Sequence, residues 1–337
     1  MTALRWGILG PGGIANAFAK DLRTADMTIA AVGSRSIERA QAFADTYAIP
    51  RAHGSYRALA EDPDVDIVYI ATPHPQHVEP ALLMLEHGKH VLIEKAFTAN
   101  ANEAQRIAEA AARHGLLALE AMWTRYLPHM ARIRDIIAAG TLGTVTALIA
   151  DHTQSLSTDP AHRINNPDLG GGALLDLGVY PISFAWDLFG EPETIMAAGV
   201  LGATGTDTQV QATFTYAGGQ VASTFSSCIA RGTNTAAIIG TEASILIDPV
   251  WYTATSFRVV ATDGTTIEEY QSSVAGRGMQ YQALAAEALI ASGDLSGGLL
   301  PIAESVAIMR TLDEIRAQLG VVYPTDGAVT RLSDVTD

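Results

Sequence analysis

The stretch Gly10-Pro11-Gly12-Gly13-Ile14-Ala15 indicates the fold class, because it fits the pattern G-x-G-x-x-G/A. It stands between a short apolar run at residues 4–9 and a segment with helical spacing at residues 14–22. In such a strand–turn–helix context the first glycine makes the tight turn, and the second lets backbone N–H groups approach a pyrophosphate. Ala15 is small enough for the helix to touch the strand, and the phosphates lie at the helix N-terminus. The open alternative is a purely structural turn in another strand–helix unit.

Strand and helix signals alternate along about the first 120 residues, which is typical of a parallel sheet with helices on both faces. The run at residues 67–71 is apolar almost throughout, as a strand buried on both faces requires. We therefore predict an α/β fold in which residues 1–121 form a Rossmann domain, with a doubly wound parallel sheet.

The chain beyond Trp123 has a different texture, rich in Thr, Val, Ala and glycine turns. Polar and apolar residues alternate at 208–216, and Gly218-Gly219 then predicts a hairpin. Residues 122–337 are predicted to form an α+β domain for substrate binding and oligomerisation, with a large, mostly antiparallel open sheet. The predicted strands lie near 144–153, 193–202, 208–216, 220–228, 233–239, 243–247 and 255–271, followed by helices at 279–291 and 301–318.

Composition excludes several classes of protein. The 337 residues exceed the usual size of one hydrophobic core, and the net charge of −15 opposes binding to nucleic acid and to anionic membranes. Cys228 is the single cysteine, so neither an intrachain disulfide nor a cysteine-based zinc site is expected. No signal segment or membrane span is recognised, and a cytoplasmic location is the expectation.

The end of the second predicted strand reads Gly33-Ser34-Arg35-Ser36, where NAD-specific sites carry an acidic residue. Ser34 can hydrogen-bond a ribose 2′-phosphate, Arg35 can pair with it, and Arg39 can add charge. This arrangement predicts NADP rather than NAD. The alternative is that both arginines belong to a solvated helix start.

Two candidate catalytic groups lie far apart in the sequence. Lys95 follows a predicted strand within Glu94-Lys95-Ala96, and ligands bind at the carboxyl ends of such strands. If the segment after Gly170-Gly171-Gly172 is helical, Asp176 and Tyr180 share one face. A tyrosine beside an ammonium group is a suitable general acid/base, because the positive charge stabilises the phenolate. The alternatives are a solvated strand end for the lysine and a packed tyrosine next to a carboxylate.

These motifs, together with Thr72-Pro73-His74-Pro75-Gln76-His77, resemble the glucose-fructose oxidoreductase/inositol dehydrogenase/rhizopine-catabolism (Gfo/Idh/MocA) family over essentially the whole chain. Residues 120–128 and 166–172 are most similar to the branch of dihydrodiol dehydrogenases and NADP-dependent D-xylose dehydrogenases. The resemblance implies a Rossmann domain followed by a domain whose open sheet joins copies of the chain, as a dimer or a tetramer.

The resemblance also implies roles for individual residues. Lys95 matches the catalytic lysine, Tyr180 the general acid/base and Asp176 the aspartate that orients substrate or base, while Ala96 replaces the usual proline. Further residues are implied at the cofactor or in the cofactor and substrate cleft: Thr72, His74, His77, Glu94, Trp123, Arg125 and Arg163.

We therefore predict an NADP-dependent dehydrogenase that acts on a small sugar, polyol or vicinal diol. Two alternatives stay open, a non-catalytic dinucleotide-binding sensor and an enzyme that uses transient redox for elimination or isomerisation. No metal is expected. The histidines without metal-ligand spacing are expected at surface or capping positions: His53, His87, His114, His129, His152 and His162.

Overall fold

The computed structural model describes residues 4–327, which divide into two compact units. Within the described residues, the first comprises residues 4–123, Ala275–Met309 and residues 325–327, and the second comprises Thr124–Val274 and Arg310–Pro324. The first unit thus includes a late segment of the chain, whereas the division predicted from the sequence is continuous. The assignment of residues 1–121 and 122–337 as separate functional domains stays a prediction.

The first unit contains a six-stranded, wholly parallel sheet in the order β3-β2-β1-β4-β5-β6. This is the strand order of a dinucleotide-binding sheet, with its switch point between β1 and β4. Its elements are β1 (Arg5–Leu9), α1 (Gly13–Thr24), β2 (Thr28–Gly33), α2 (Ile37–Tyr47), β3 (Arg51–His53), α3 (Tyr56–Ala60), β4 (Ile67–Ile70), α4 (Val78–Glu86), β5 (His90–Glu94), α5 (Ala101–His114) and β6 (Ala118–Ala121). The predicted Rossmann fold is confirmed.

Sequence features account for the main elements of this unit. All residues of β4 are buried, as expected for a central strand covered by helices on both faces. Helix α2 begins after Ser36, whose side chain accepts a hydrogen bond from the Arg39 backbone N–H. Helix α5 ends at Gly115, which adopts the left-handed conformation that glycine favours there.

The second unit contains an eight-stranded sheet in the order β14-β13-β12-β11-β7-β10-β9-β8. The β7–β10 pair is parallel and the other pairs are antiparallel, which confirms the predicted, mostly antiparallel sheet. Its elements are α6 (Pro128–Ala138), β7 (Val145–Thr153), α7 (Val179–Phe189), β8 (Thr194–Leu201), β9 (Asp207–Thr215), β10 (Val221–Ser227), β11 (Ala236–Gly240), β12 (Ala243–Ile247), β13 (Phe257–Ala261) and β14 (Thr266–Tyr270).

Two helices complete the described chain. Helix α8 (Gln280–Ser292) belongs to the first unit, and the boundary between units falls within helix α9 (Ile302–Leu319). The single strand predicted at 255–271 is wrong, because that segment is the hairpin of β13 and β14. Its turn contains Gly264 at φ +88°, and the Asp263 carboxylate accepts a hydrogen bond from Thr265 N–H at 2.8 Å.

Candidate functional site

The glycine turn after β1 requires glycine at position 10. Gly10 has φ +84°, and a Cβ there would lie 3.2 Å from the backbone of Ala71 at the end of the neighbouring strand. Its N–H donates a hydrogen bond to the Gly33 carbonyl at 3.0 Å. The first glycine of the motif is therefore explained by the protein's own packing.

The next two glycines are not explained in this way. A Cβ on Gly12 would meet only the Gly10 carbonyl oxygen, at 3.9 Å, and a Cβ on Gly13 would meet nothing within 4 Å. Helix α1 begins at Gly13, and no side chain caps its N-terminus. The uncapped helix start and the open Cβ positions of Gly12 and Gly13 fit a pyrophosphate, which side chains at these two positions would obstruct.

The carboxyl end of β2 carries positive charge. The side chain of Ser34 is buried, whereas Arg35 and Arg39 are exposed. Burial raises the pKa of Tyr56, and the positive charges of Arg35 and Arg39 act in the opposite direction. This donor set fits a ribose 2′-phosphate.

The segment after β4 is tied to the segment after β5 by His77. This histidine is fully buried, with Nε2 2.7 Å from the Thr72 carbonyl and Nδ1 3.1 Å from the Phe97 carbonyl. Burial lowers its pKa. The ring of His74 lies edge-on to it, with 5.8 Å between ring centroids. The structure thus places both histidines at the predicted edge of the sheet.

Glu94 ends β5 as a buried carboxyl group. It accepts hydrogen bonds from the Tyr69 hydroxyl and, at 3.2 Å, from the Lys95 backbone N–H. Burial raises its pKa, against the opposing charge of Lys95. Lys95 is half-buried, and the Lys95–Ala96 peptide bond is cis. Lys95 therefore lies at the carboxyl end of a parallel strand, where ligands of this fold bind.

Trp123 and Arg277 form a pair that sequence reasoning missed. The guanidinium carbon of Arg277 lies 5.4 Å from the centroid of the buried Trp123 indole, a cation–π arrangement. The Asp21 carboxylate holds this loop, since it accepts hydrogen bonds from the backbone N–H groups of Arg277 and Met279, the latter at 2.8 Å. The long separation in sequence explains why no local pattern indicated the pair.

In the second unit, Asp176 and Tyr180 are carried by one continuous helical segment, as the sequence predicted. Its first turn, however, is a π-helix at Leu174–Gly178, and α7 follows it directly. Turns of this type occur frequently at functional sites. The Arg163 guanidinium pairs with the Asp176 carboxylate at 3.0 Å, so two predicted residues are in contact.

A buried carboxyl group holds the start of this π-turn. Asp207 accepts a hydrogen bond from the Leu174 N–H at 2.6 Å, and burial raises the pKa of Asp207 to about 6. A Cβ on Gly171 would lie 2.7 Å from the carbonyl oxygens of Arg163 and Ile164. Here the protein's own backbone and side chains fill the space around the glycines.

Arg125 packs against α7. Its Nε donates to the Ser183 hydroxyl at 2.9 Å, and its Nη2 donates to the Ser183 carbonyl at 2.7 Å. Asp187 lies 3.9 Å from its Nη1. The contacts of this guanidinium hold a helix, and its predicted place in the substrate cleft stays a prediction.

Two histidines expected at surface or capping positions are buried, so that expectation is wrong for them. His129 Nε2 lies 3.2 Å from the Trp251 carbonyl, and burial lowers its pKa to about 4. His152 stacks on Tyr252 with 3.7 Å between ring centroids and lies edge-to-face with Tyr180 at 4.9 Å. His152 lies in β7, and the spacing of the histidines in the sequence gave no signal of its aromatic partners.

Comparison with known proteins identifies the family. A model described as "Oxidoreductase family, NAD-binding Rossmann fold" matches residues 4–121, and the model of the Gfo/Idh/MocA C-terminal domain matches residues 130–246. The chain belongs to the Gfo/Idh/MocA oxidoreductase family. The resemblance stated from the motifs is thereby confirmed.

Two relatives span nearly the whole chain. A trans-1,2-dihydrobenzene-1,2-diol dehydrogenase from Bos taurus is 36% identical, over 96% of this chain and 99% of the relative. An NADP(+)-dependent D-xylose 1-dehydrogenase from Hypocrea jecorina is 35% identical, over 95% of this chain and 93% of the relative.

Solved structures share the fold. The aldose-aldose oxidoreductase of Caulobacter crescentus, complexed with glycerol, superposes with a TM-score of 0.85 at 22% identity, covering 94% of this chain and 97% of that one. A 3-ketoreductase from Actinomadura kijaniata in complex with NADP and TDP-benzene gives a TM-score of 0.78 at 26% identity, covering 94% and 98%.

Two features are absent from residues 4–327. None of the helices in that range combines the length and the apolar character that crossing a bilayer demands. Within the same range, no group of histidine, cysteine, aspartate and glutamate residues is arranged to hold a metal ion.

Proposed function

We propose that this chain is an NADP-dependent dehydrogenase that oxidises a hydroxyl group of a small sugar, polyol or vicinal diol. The observation that carries the proposal is the unfilled space at Gly12 and Gly13, before an uncapped helix, in a sheet whose fifth strand leads directly into Lys95. Relatives at 36% and 35% identity that are named as dehydrogenases support it.

The residues at the end of β2 would select the cofactor. Ser34, Arg35 and Arg39 supply a hydroxyl group and two positive charges, which favour a 2′-phosphate over a free ribose hydroxyl. Bound NADP+ supplies the hydride acceptor for the oxidation. The name of the Hypocrea jecorina relative also specifies NADP+.

The proton chemistry is assigned to three residues. Oxidation of a carbinol requires that its O–H proton leave as its C–H hydrogen departs with both bonding electrons, so that a carbonyl forms. Tyr180, as a phenolate stabilised by the Lys95 ammonium, would accept the proton, and Lys95 would also hold the substrate oxygen. Asp176, fixed by Arg163 at 3.0 Å, would orient substrate or base, with Trp123 as a wall of the cleft.

Lys95→Met tests the assignment directly. We expect kcat for NADP+-linked oxidation to fall by roughly 10²-fold or more, the usual size of acid–base and electrostatic contributions. Lys20→Met, which removes an exposed lysine from α1, is the matched control and should retain parental turnover. Parental turnover in Lys95→Met would refute the proposed chemistry.

A homo-oligomer is proposed through the open face of the second sheet. Leu246, Ala237, Ile149 and Ser223 follow one another in register across β12, β11, β7 and β10. Ile149 is 55% exposed and Leu246 is 36% exposed, beside a surface groove of about 730 Å³. Exposed apolar rows of this kind mark interaction surfaces.

The oligomer is tested by light scattering at micromolar concentration. The wild-type protein should have the mass of a dimer or a tetramer, and Ile149→Asp should lower that mass. Leu284→Asp, at a residue on α8 that is 44% exposed, should not change it. A monomeric wild-type protein would remove this part of the proposal.

A cytoplasmic location is also proposed, supported by the lone, buried Cys228, which suits a reducing compartment. Cell fractionation of the tagged chain should recover it in the cytoplasmic fraction, and recovery outside that fraction would contradict the proposal.

A further inference from the structure

The π-turn Leu174–Gly178 lies against three adjacent strands of the second sheet, in the order β7-β10-β9. Asp207 at the start of β9 accepts a hydrogen bond from its first N–H. Ser226 of β10 packs so closely that a Cβ on Gly178 would lie 3.0 Å from its hydroxyl oxygen. The contact from β7 is made by His152, which the proposed function does not use.

His152 is bonded to the backbone of the turn between Asp176 and Tyr180. Its Nδ1 lies 3.1 Å from the Leu177 carbonyl oxygen, and since a carbonyl can only accept, Nδ1 carries the proton. Its Nε2 lies 3.1 Å from the amide nitrogen of Gln154, which can only donate, so Nε2 accepts. Both contacts together define the neutral imidazole with its proton on Nδ1.

The ring of His152 is fixed by two tyrosines. It stacks on Tyr252 with an interplanar angle of 27° and meets Tyr180 at 74°, with 4.9 Å between centroids. The rings of Tyr180 and Tyr252 also pack together, with 5.4 Å between their centroids. One side chain therefore contacts both the backbone before Tyr180 and the ring of Tyr180 itself.

We propose that His152 is a positioning residue for Tyr180. It holds the π-turn through the Leu177 carbonyl and packs against the phenol, which fixes the direction of the phenolic oxygen. Both ring nitrogens of His152 contact protein groups, the Leu177 carbonyl and the Gln154 amide, and the proposed function gives the substrate proton to Tyr180, so we assign His152 a role in positioning. The inference rests on the proposed function, because that function gives Tyr180 its role.

Loss of this support should change turnover more than cofactor binding. An error of about 1 Å in the position of a reacting group can reduce a rate by roughly 10²-fold. Binding of NADP+ is assigned to the first unit, which holds none of the residues in this cluster. The expected result is therefore a fall in kcat with little change in the KM for NADP+.

Two variants separate the two contacts of His152. His152→Phe keeps a ring beside Tyr180 but removes the donor, whereas His152→Asn keeps a donor at the position of Nδ1 but removes the ring. The matched control is His129→Phe, which removes another buried histidine that faces a backbone carbonyl, that of Trp251. All variants are assayed with NADP+ and whichever of D-xylose and trans-1,2-dihydrobenzene-1,2-diol the wild-type protein oxidises faster.

We expect His152→Phe to lower kcat by roughly 10-fold or more and His152→Asn by a smaller factor, with the KM for NADP+ within about twofold of wild type. Amide hydrogen exchange in residues 173–181 should accelerate in His152→Phe and stay near wild type in His152→Asn. The control His129→Phe should keep the wild-type kcat and the wild-type rate of amide exchange in residues 173–181. Parental kcat and parental exchange in His152→Phe would overturn the inference.

Failure of the proposed function can be distinguished from failure of the proposal for His152. Parental turnover in Lys95→Met, or no oxidation of any compound in a panel of aldoses, polyols and aromatic trans-dihydrodiols, would refute the proposed function, while faster exchange in His152→Phe would still demonstrate that His152 holds the turn. If Lys95→Met loses activity while His152→Phe keeps the parental kcat and the parental exchange, only the proposal for His152 is refuted. If His152→Phe does not fold, parental kcat in His152→Asn overturns it.

Discussion

Each unit has a glycine-rich turn that leads into a helix, and the two turns are built in opposite ways. Before α1, no side chain caps the helix start, the Cβ positions of Gly12 and Gly13 are open, and neither glycine is required by packing. Before α7, the Asp207 carboxylate fills the corresponding place and bonds Leu174 N–H at 2.6 Å. The first turn exposes backbone donors, whereas the second satisfies them within the protein.

This difference indicates which part of each turn interacts with small molecules. An uncapped helix start with open space binds an anion through the backbone itself. A turn that is fully engaged by its own sheet presents side chains instead, here Asp176 and Tyr180, in fixed positions. Under the proposed function, glycine thus serves ligand access in the first unit, whereas it serves close packing in the second.

The largest expected effect is that of Tyr180→Phe, which removes the proposed acid/base group. We expect kcat to fall by roughly 10²-fold or more, with NADP+ affinity and thermal stability unchanged. Tyr216→Phe is the matched control, since it removes a buried hydroxyl that has no hydrogen-bond partner in the described chain. Equal kcat values for the two variants would mean that the second turn does not supply the proton acceptor.

Asp207→Asn tests whether a buried carboxyl group caps the second turn. The pKa of Asp207 is raised from 3.8 to about 6 because burial penalises its charge. Between about pH 4 and 6, the folded protein therefore keeps a proton on Asp207 that the unfolded chain releases. The resulting stabilisation is fully present below about pH 4 and is lost as the pH rises through 6, a change of about 3 kcal/mol.

The measurement is the free energy of unfolding of both proteins by urea between pH 4 and 7. Because asparagine does not titrate, Asp207→Asn should gain about 3 kcal/mol relative to wild type over that range. Asp263→Asn, at an exposed carboxylate whose hydrogen bonds to Thr265 lower its pKa, should show no such gain. If the free energies of unfolding of Asp207→Asn and wild type differ by the same amount at every pH between 4 and 7, Asp207 is not a buried, protonated cap.

Gly12→Ala tests the open space of the first turn. The added methyl group meets only the Gly10 carbonyl oxygen at 3.9 Å, so the apoprotein should keep its melting temperature. The methyl group would stand where the pyrophosphate approaches, and we expect the Kd for NADP+ to rise roughly 30-fold, about 2 kcal/mol. Titration calorimetry measures the Kd for NADP+ of the variant and of the wild-type protein.

Gly115→Ala provides the opposite result. Gly115 ends α5 at φ +64°, and a Cβ there would meet nothing within 4 Å. Because the left-handed conformation is unfavourable for alanine, the variant should lose roughly 1 kcal/mol of stability without a change in the Kd. A lower melting temperature with unchanged Kd in Gly12→Ala would show that this glycine serves packing after all.

Arg35→Ala gives the smallest expected effect. Removing one exposed charge from the end of β2 should raise the Kd for NADP+ roughly 10-fold and leave that for NAD+ unchanged. Arg23→Ala, at an exposed arginine in the last turn of α1, should change neither value. Equal losses for both dinucleotides in Arg35→Ala would assign Arg35 to the adenine or to the fold.

Local sequence patterns predicted the first unit well because its determinants are local. The motif at residues 10–15, the apolar strands and the stops at glycines fix a parallel sheet without reference to distant residues. The turn in the 255–271 segment was missed although Asp263-Gly264 is a turn signal, because the apolar alternation on either side suggested one strand.

The supports of the second turn could not be predicted in the same way. Asp176 and Tyr180 are four residues apart, a spacing that does not distinguish an α-turn from a π-turn. His152 bonds a carbonyl 25 residues later, and its partner Tyr252 lies much further along the chain. Only the register of the folded sheet brings these groups together.

The central claim is that this chain transfers a hydride from a carbinol carbon to NADP+. The most direct measurement is NADP+ reduction by the purified protein against a panel of aldoses, polyols and aromatic trans-dihydrodiols, with NAD+ in parallel. We expect NADPH in equal amount to the oxidised product, formed faster than NADH and abolished in Lys95→Met. NADP+ binding without NADPH across the whole panel, or a converted product without NADPH accumulation, would contradict it.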